Sequence, residues 1–185
     1  MSFRLETDRL ILRDWRDGDL AAFVRHTNTP EVMRWLGGVQ DDAHYAMMLA
    51  RFQECAAAHG HCFWLVERKA DGDILGFCGL KRGNAPDCTF MGAFEIGWRL
   101  RQDAWGQGYA REAAQASLAA GFGQFAAPVI HAITVTGNVA SATLMRRLGM
   151  VRAPELDFCD TRFTGDLADV IAYRLTRQQW EESQP

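Results

Sequence analysis

Apolar positions fall into two repeating patterns along the chain, and they predict alternating strands and helices. Residues 4–15 carry Leu10, Ile11 and Leu12 in succession and predict a strand. Gly18 and Asp19 supply a turn and a helix cap, so residues 20–27 predict a helix that Thr29-Pro30 breaks. Residues 32–36 form a short apolar turn closed by Gly37-Gly38. Between residues 41 and 58, Tyr45, Met48, Leu49, Phe52, Cys55 and Ala56 recur at helical spacing behind a cap at Asp41 or Asp42.

The middle of the chain is strand-like. Residues 62–67 are apolar and aromatic, the turn at 70–73 folds residues 74–80 back as a hairpin partner, residues 81–88 read as a loop, and residues 90–100 predict another strand. From Gly106 the pattern becomes an alanine-rich helix to about Gly123, ended by Pro128. Residues 129–135 are β-branched and strand-like. Gly137-Asn138 turns the chain into a helix over 139–148, with Gly149 as its C-cap. Residues 158–161 hold part of a strand and residues 170–175 a full one. This order predicts an α/β (α+β) arrangement around one mixed sheet, in a single domain spanning residues 1–185.

Composition narrows the function classes. About half of the residues are apolar, which excludes disorder. The net charge of −3 is spread without a basic stripe, so there is no footprint for nucleic acid. No apolar run reaches about 18 residues, so no membrane-spanning helix is expected. The first eight residues are too polar for a secretory signal. The five cysteines, Cys55, Cys62, Cys78, Cys88 and Cys159, form no paired motif, and the histidines are scattered. The expectation is a reduced, cytoplasmic protein without a metal.

The segment from Glu95 to Ala113 carries the chemistry. A strand runs into a short loop, and glycines stand where a helix begins. The first turn of a helix has backbone N–H groups without partners, the dipole favours negative charge there, and glycine lets a ligand approach closely. A phosphate or pyrophosphate suits such a site. The alternative is a glycine turn that merely lets the helix pack against the sheet. The Rossmann fingerprint fails, because Gly106-x-Gly108 continues as Tyr109-Ala110-Arg111 and the next strand ends without an acid. The Walker pattern is absent.

Trp105-Gly106-Gln107-Gly108-Tyr109-Ala110 resembles the acetyl-CoA loop of the GNAT superfamily, written Gln/Arg-x-x-Gly-x-Gly/Ala. Gly108 and Ala110 match its last two fixed positions, and Trp105 replaces the usual Gln or Arg. That departure, with Tyr109-Ala110-Arg111-Glu112-Ala113, resembles the branch that acetylates ribosomal-protein N-termini (the RimJ/RimL type). So do Leu5-Glu6-Thr7-Asp8-Arg9-Leu10-Ile11-Leu12-Arg13 and Asn138-Val139-Ala140-Ser141. The resemblance implies a central, mixed, mostly antiparallel and splayed sheet flanked by helices, and acetyl transfer from acetyl-CoA. The acceptor it implies is a small amine or a protein N-terminus. The backbone of Trp98, Arg99 and Leu100 would pair with the pantetheine arm, the amides of Gly106, Gln107, Gly108, Tyr109, Ala110 and Arg111 would hold the pyrophosphate, and Asn138 would meet the cofactor from the neighbouring strand end. The five steps from Glu95 to Leu100 span roughly 16 Å at strand rise, of the order of a pantetheine arm.

Amine acetylation needs a base for the amine and stabilisation of the departing thiolate. Glu95, on the same strand face as small Gly97, is the candidate base; its alternative is a structural ion pair. Many relatives place a tyrosine acid where this chain has Met145, and Ser141 is the candidate substitute; its alternative is capping the helix. Trp35 and Phe90 are candidate lining for the acceptor site, with Arg34 or Asp160 available to orient a charged substrate. Cys78 has no neighbouring base and reads as a buried strand residue. A homodimer is compatible with the composition. A CoA-binding sensor without catalysis is the competing function.

Overall fold

Thr7 decides how the chain begins. Its hydroxyl accepts from Leu10 N at 2.9 Å and its amide donates to Leu10 O at 3.0 Å, closing a turn inside the segment expected as one strand. The result is a hairpin of β1 (Arg4–Glu6) and β2 (Leu10–Arg13). The computed structural model describes residues 3–184.

Three helices follow: α1 (Asp19–Thr27), α2 (Pro30–Met33) and α3 (Asp42–His59). The Thr29 hydroxyl caps α2 and the Asp41 carboxylate caps α3, each accepting from an amide three residues on. Of the pair Gly18-Asp19 expected to turn the chain and cap α1, Gly18 holds the cap position with no side-chain cap, and Asp19 turns back to Arg13. Both guanidinium Nη atoms of Arg13 bond Asp19, at 2.7 and 3.0 Å, and Nε bonds Glu67 at 2.7 Å. Arg13 and Asp19 are buried. Removing one member of such a cluster leaves its partner desolvated and unmatched, so Asp19→Ala should cost about 3–5 kcal/mol. In a thermal melt this corresponds to a drop of roughly 6 °C or more.

β3 (Phe63–Arg68), β4 (Ile74–Arg82) and β5 (Phe94–Leu100) form an antiparallel run. β4 continues through Arg82, past the expected loop boundary, because Lys81 and Arg82 find partners in Glu95 and Phe94 across the ladder. β5 starts later than expected, since Phe90 and Ala93 close a turn through Gly92, whose φ is 77°. Next come α4 (Tyr109–Phe122), β6 (Val129–Val135), α5 (Val139–Arg147), the short β7 (Val151–Arg152) and β8 (Phe158–Cys159), β9 (Asp169–Thr176) and α6 (Arg177–Glu182). The unexpected α6 begins with a reciprocal capping box between Thr176 and Gln179.

All nine strands join one sheet in the order β1-β2-β3-β4-β5-β6-β9-β7, with β8 also on β9. Among the described residues, only β5 and β6 are parallel, and only Phe94↔Ile130 and Glu95↔His131 pair between them. Beyond Glu95 the two strands diverge while each keeps its outer partner. One sheet face packs on α4 through Leu80, Ile96, Leu118 and Ile130. The other packs on α1 and α3 through Phe23, Tyr45, Phe63 and Phe77.

Candidate active site

The divergence of β5 from β6 opens the middle of the sheet. In an antiparallel ladder, alternate residues turn their peptide groups toward the partner strand. Gly83 N donates to Ala93 O and Arg101 N donates to Leu75 O, both at 2.8 Å, so the odd-numbered residues of β5 face β4. The even-numbered residues face the gap. Phe94 O accordingly meets His131 Nδ1 on β6 at 3.2 Å, and Leu100 O accepts from the Trp105 indole at 2.9 Å. The peptide groups of Trp98 and the Leu100 amide are thus directed into the gap. Arg99, expected to share this backbone role, has its peptide groups turned to β4 instead.

Below the gap lies the start of α4. Gly106 and Gly108 adopt φ of 71° and 83°, so the helix begins at Tyr109 rather than at Gly106. No side chain caps it, and the first backbone bond of the turn is Glu112 N to Gly108 O at 3.0 Å. The amides of Tyr109, Ala110 and Arg111 are left without helical partners, at the positive end of a fourteen-residue helix. The loop is held from outside. Glu112 accepts from the Thr7 hydroxyl, the Arg9 amide and Arg9 Nε at 2.6, 2.9 and 2.7 Å, and Arg9 Nη1 donates to Gln107 O at 3.0 Å. Gln107 ties its own side chain to Asp103 O. The Tyr109 ring is buried beneath the Arg9 guanidinium, 4.5 Å away, so Tyr109 offers only its amide to a ligand.

On the far side of the gap, Asn138 caps α5 by accepting from Ser141 N at 3.2 Å. Asn138, not Ser141, is therefore the cap, and among the described residues the Ser141 hydroxyl makes no hydrogen bond within the protein. Met145, one turn further on, is buried in the core. Trp35 packs so closely over the Gly137 backbone that a Cβ there would meet its ring at 2.6 Å. Trp98, Trp105, Gly106, Ser141 and Trp35 border one groove of about 700 Å³, with Arg34 also at its edge.

Glu95 lies at the closed end of the divergence. It is 4% exposed and bonded to Lys81 Nζ at 2.8 Å. Burial pushes its carboxyl above the ordinary range, while Lys81 and, less strongly, Arg162 pull the other way. Lys81 also bonds Asn84 at 2.9 Å. Phe90 stacks on His131 at 4.5 Å within a small buried cluster, outside the groove lining. Asp160 is likewise buried, paired with Arg162. Cys78 is fully buried 3.6 Å from the Ser117 hydroxyl, and burial pushes its thiol up to about 12. Among the described residues, no group of three His, Cys, Asp or Glu side chains is placed to hold a metal, and no helix is long and apolar enough to cross a membrane.

A family model described as an acetyltransferase (GNAT) domain matches residues 9–151. The chain belongs to the GNAT acetyltransferase family. In sequence the chain is similar to the Bacillus subtilis protein YkkB, 34% identical over 148 residues, covering 80% of this chain and 84% of YkkB. The fold matches a crystal structure of an acetyltransferase from Agrobacterium tumefaciens with a TM-score of 0.76, at 24% identity and 94% coverage of both chains. It also matches the spermidine N-acetyltransferase of Vibrio cholerae, solved with CoA and spermine, with a TM-score of 0.74 at 17% identity and coverage of 95% and 99%. As a GNAT protein, the chain is an acetyl-CoA-dependent acyltransferase that takes an amine acceptor.

The site fits such a cofactor. The uncapped amides at the start of α4 suit a diphosphate, and the gap-facing peptide groups of Trp98 suit an amide-bearing arm. Two contributors escape the sequence. Lys81 becomes Glu95's partner only through the β4–β5 register. Pro30 and Glu31 border the groove because α2 folds across the divergence, which no local pattern specifies.

Proposed function

We propose that this GNAT protein acetylates a primary amine, on a small molecule or a protein N-terminus, by direct attack of the amine on the thioester. The carrying observation is the uncapped start of α4 beside a strand whose peptide groups face an open gap. The amides from Gly106 to Arg111 hold the diphosphate, Trp98 and Leu100 hold the arm, and Asn138 and Ser141 border it from α5. Bound acetyl-CoA supplies the thioester carbonyl. Glu95 removes a proton from the acceptor's ammonium, directly or through water, and burial strengthens it as a base. The nitrogen bonds to the carbonyl carbon, the carbon–sulfur bond breaks, and the second proton shed by the nitrogen ends on the departing thiolate. The Ser141 hydroxyl donates to the departing thiolate. The motifs around Trp105, Asn138 and the first hairpin support placing the chain near the RimJ/RimL branch.

A second reading, a CoA-binding sensor, is favoured by Met145, which fills a tyrosine acid's place with a side chain that holds no proton. Thiol release from acetyl-CoA across a panel of polyamines, amino acids and N-terminal peptides separates the two. The expected result is release with at least one amine class. Tight CoA binding in calorimetry with no release across the panel would favour the sensor. Absence of binding to either acetyl-CoA or CoA would overturn both.

A further inference from the structure

Arg99 brings a cation into the site without an anion to match it. Its side chain lies on the β5 face opposite α4, where the Phe77 and Phe23 rings stand 5.3 and 5.7 Å from the guanidinium carbon. Nε and Nη1 are buried and make no hydrogen bond. Ring faces offset part of the cost of burying a cation, yet they satisfy none of its in-plane donors. The Tyr45 hydroxyl oxygen lies beside the guanidinium and can accept from it, but burial raises the Tyr45 pKa, so it stays neutral and supplies no negative charge; its proton goes to the Met33 sulfur at 3.5 Å. Buried charged side chains normally have a partner of opposite sign. Arg99 also borders the groove. Glu31, the acid on the same groove, is exposed and makes no ion pair with it among the described residues.

The diphosphate does not meet this need. The start of α4 packs through Tyr109 and Ala113 on the sheet face that carries Ile96 and Leu100, across the sheet from the guanidinium. The guanidinium's own face packs on α1 and α3.

We propose that the Arg99 guanidinium docks an anionic group of the acceptor, which makes the substrate class an elongated amine ending in a carboxylate. The inference rests on the acetyl-transfer reading with Glu95 as base. Four steps of strand separate Glu95 from Arg99, about 13 Å at strand rise. Amine and carboxylate must then stand several bonds apart; an α-amino acid carries both on one carbon and falls short.

The test uses matched acceptors, 6-aminohexanoate against 6-aminohexanamide and triglycine against triglycinamide, with saturating acetyl-CoA and thiol release as readout. In the unmodified protein the carboxylate member should have at least a tenfold higher kcat/KM, carried by KM. Arg99→Met should erase that ratio and Arg99→Lys should restore part of it. Thermal melts provide a second arm. Without acceptor, Arg99→Met should melt at or above the unmodified protein, because an unmatched buried charge is gone. 6-Aminohexanoate, with or without CoA, should raise the melting temperature of the unmodified protein only. Equal rates for carboxylate and amide would overturn the proposal, as would absence of protection by both carboxylates. A loss of acetyl-CoA affinity in Arg99→Met as large as the loss for acceptor would assign the guanidinium to the cofactor and overturn it too. Failure of the unmodified protein to bind acetyl-CoA would instead sink the acetyl-transfer reading, while protection by 6-aminohexanoate alone still reports the anion site.

Discussion

Glu95→Gln should lower kcat by roughly 10²- to 10⁴-fold, the usual contribution of a positioned base, while acetyl-CoA affinity stays within a few-fold. The amide keeps the side chain's shape and removes its ability to take a proton. Lys81 retains Asn84 as a partner at 2.9 Å, so the β4–β5 ladder survives the exchange. The pH dependence gives an independent check. Burial raises the Glu95 carboxyl above its ordinary value of 4.5. A base must be deprotonated to act, so kcat/KM should fall as pH drops through that raised value, and the acidic limb should lie above pH 4.5. Removing the opposing cation in Lys81→Met should move the limb to higher pH. Steady-state kinetics across pH measure both effects. Unchanged turnover in Glu95→Gln would leave the carboxylate only its ion pair with Lys81.

Gly108→Val should weaken acetyl-CoA binding by roughly 10- to 100-fold in calorimetry, since losing interactions worth about 1.4 kcal/mol costs each factor of ten. The φ of 83° at Gly108 lies in the left-handed region, where a β-branched residue is strained. A Cβ there would also stand 3.3 Å from Arg9 Nη2, pressing on the guanidinium that holds Gln107. Relieving that strain would shift the loop and move the amides of Tyr109 and Ala110 from their positions. Unaltered affinity would move the diphosphate away from the start of α4.

Much of the fold is legible in the chain because local chemistry specifies it. The β-branched run at residues 129–135 becomes β6 with the expected bounds, and the Asn138 cap and Gly149 bracket α5 as their residue types require. What escapes is set by register and by packing between distant segments. Nothing local to Lys81 says that it faces Glu95, and nothing local to Asp19 says that Arg13 outcompetes its own helix for the carboxylate. At the site, the glycines mark the proposed phosphate loop in sequence, but the helix start at Tyr109 depends on φ values at Gly106 and Gly108. The alternation in β5 that turns the Arg99 backbone away from the gap follows from hydrogen bonds at Gly83 and Arg101, beyond the strand itself.

The parting of β5 and β6 also has a thermodynamic side. A sheet that stops pairing midway gives up backbone hydrogen bonds that two adjacent strands would otherwise share, and its halves are held together where Phe94 and Glu95 still meet β6, by α4 beneath, and by side-chain packing such as Phe90 on His131 and Trp35 over Gly137. A ligand arm lying in that space acts as a removable strand. Its binding free energy adds to folding stability by mass action, about 2.7 kcal/mol at a hundred times Kd. With the arm held there as proposed, the supply of cofactor would set how firmly the two halves of the molecule are joined.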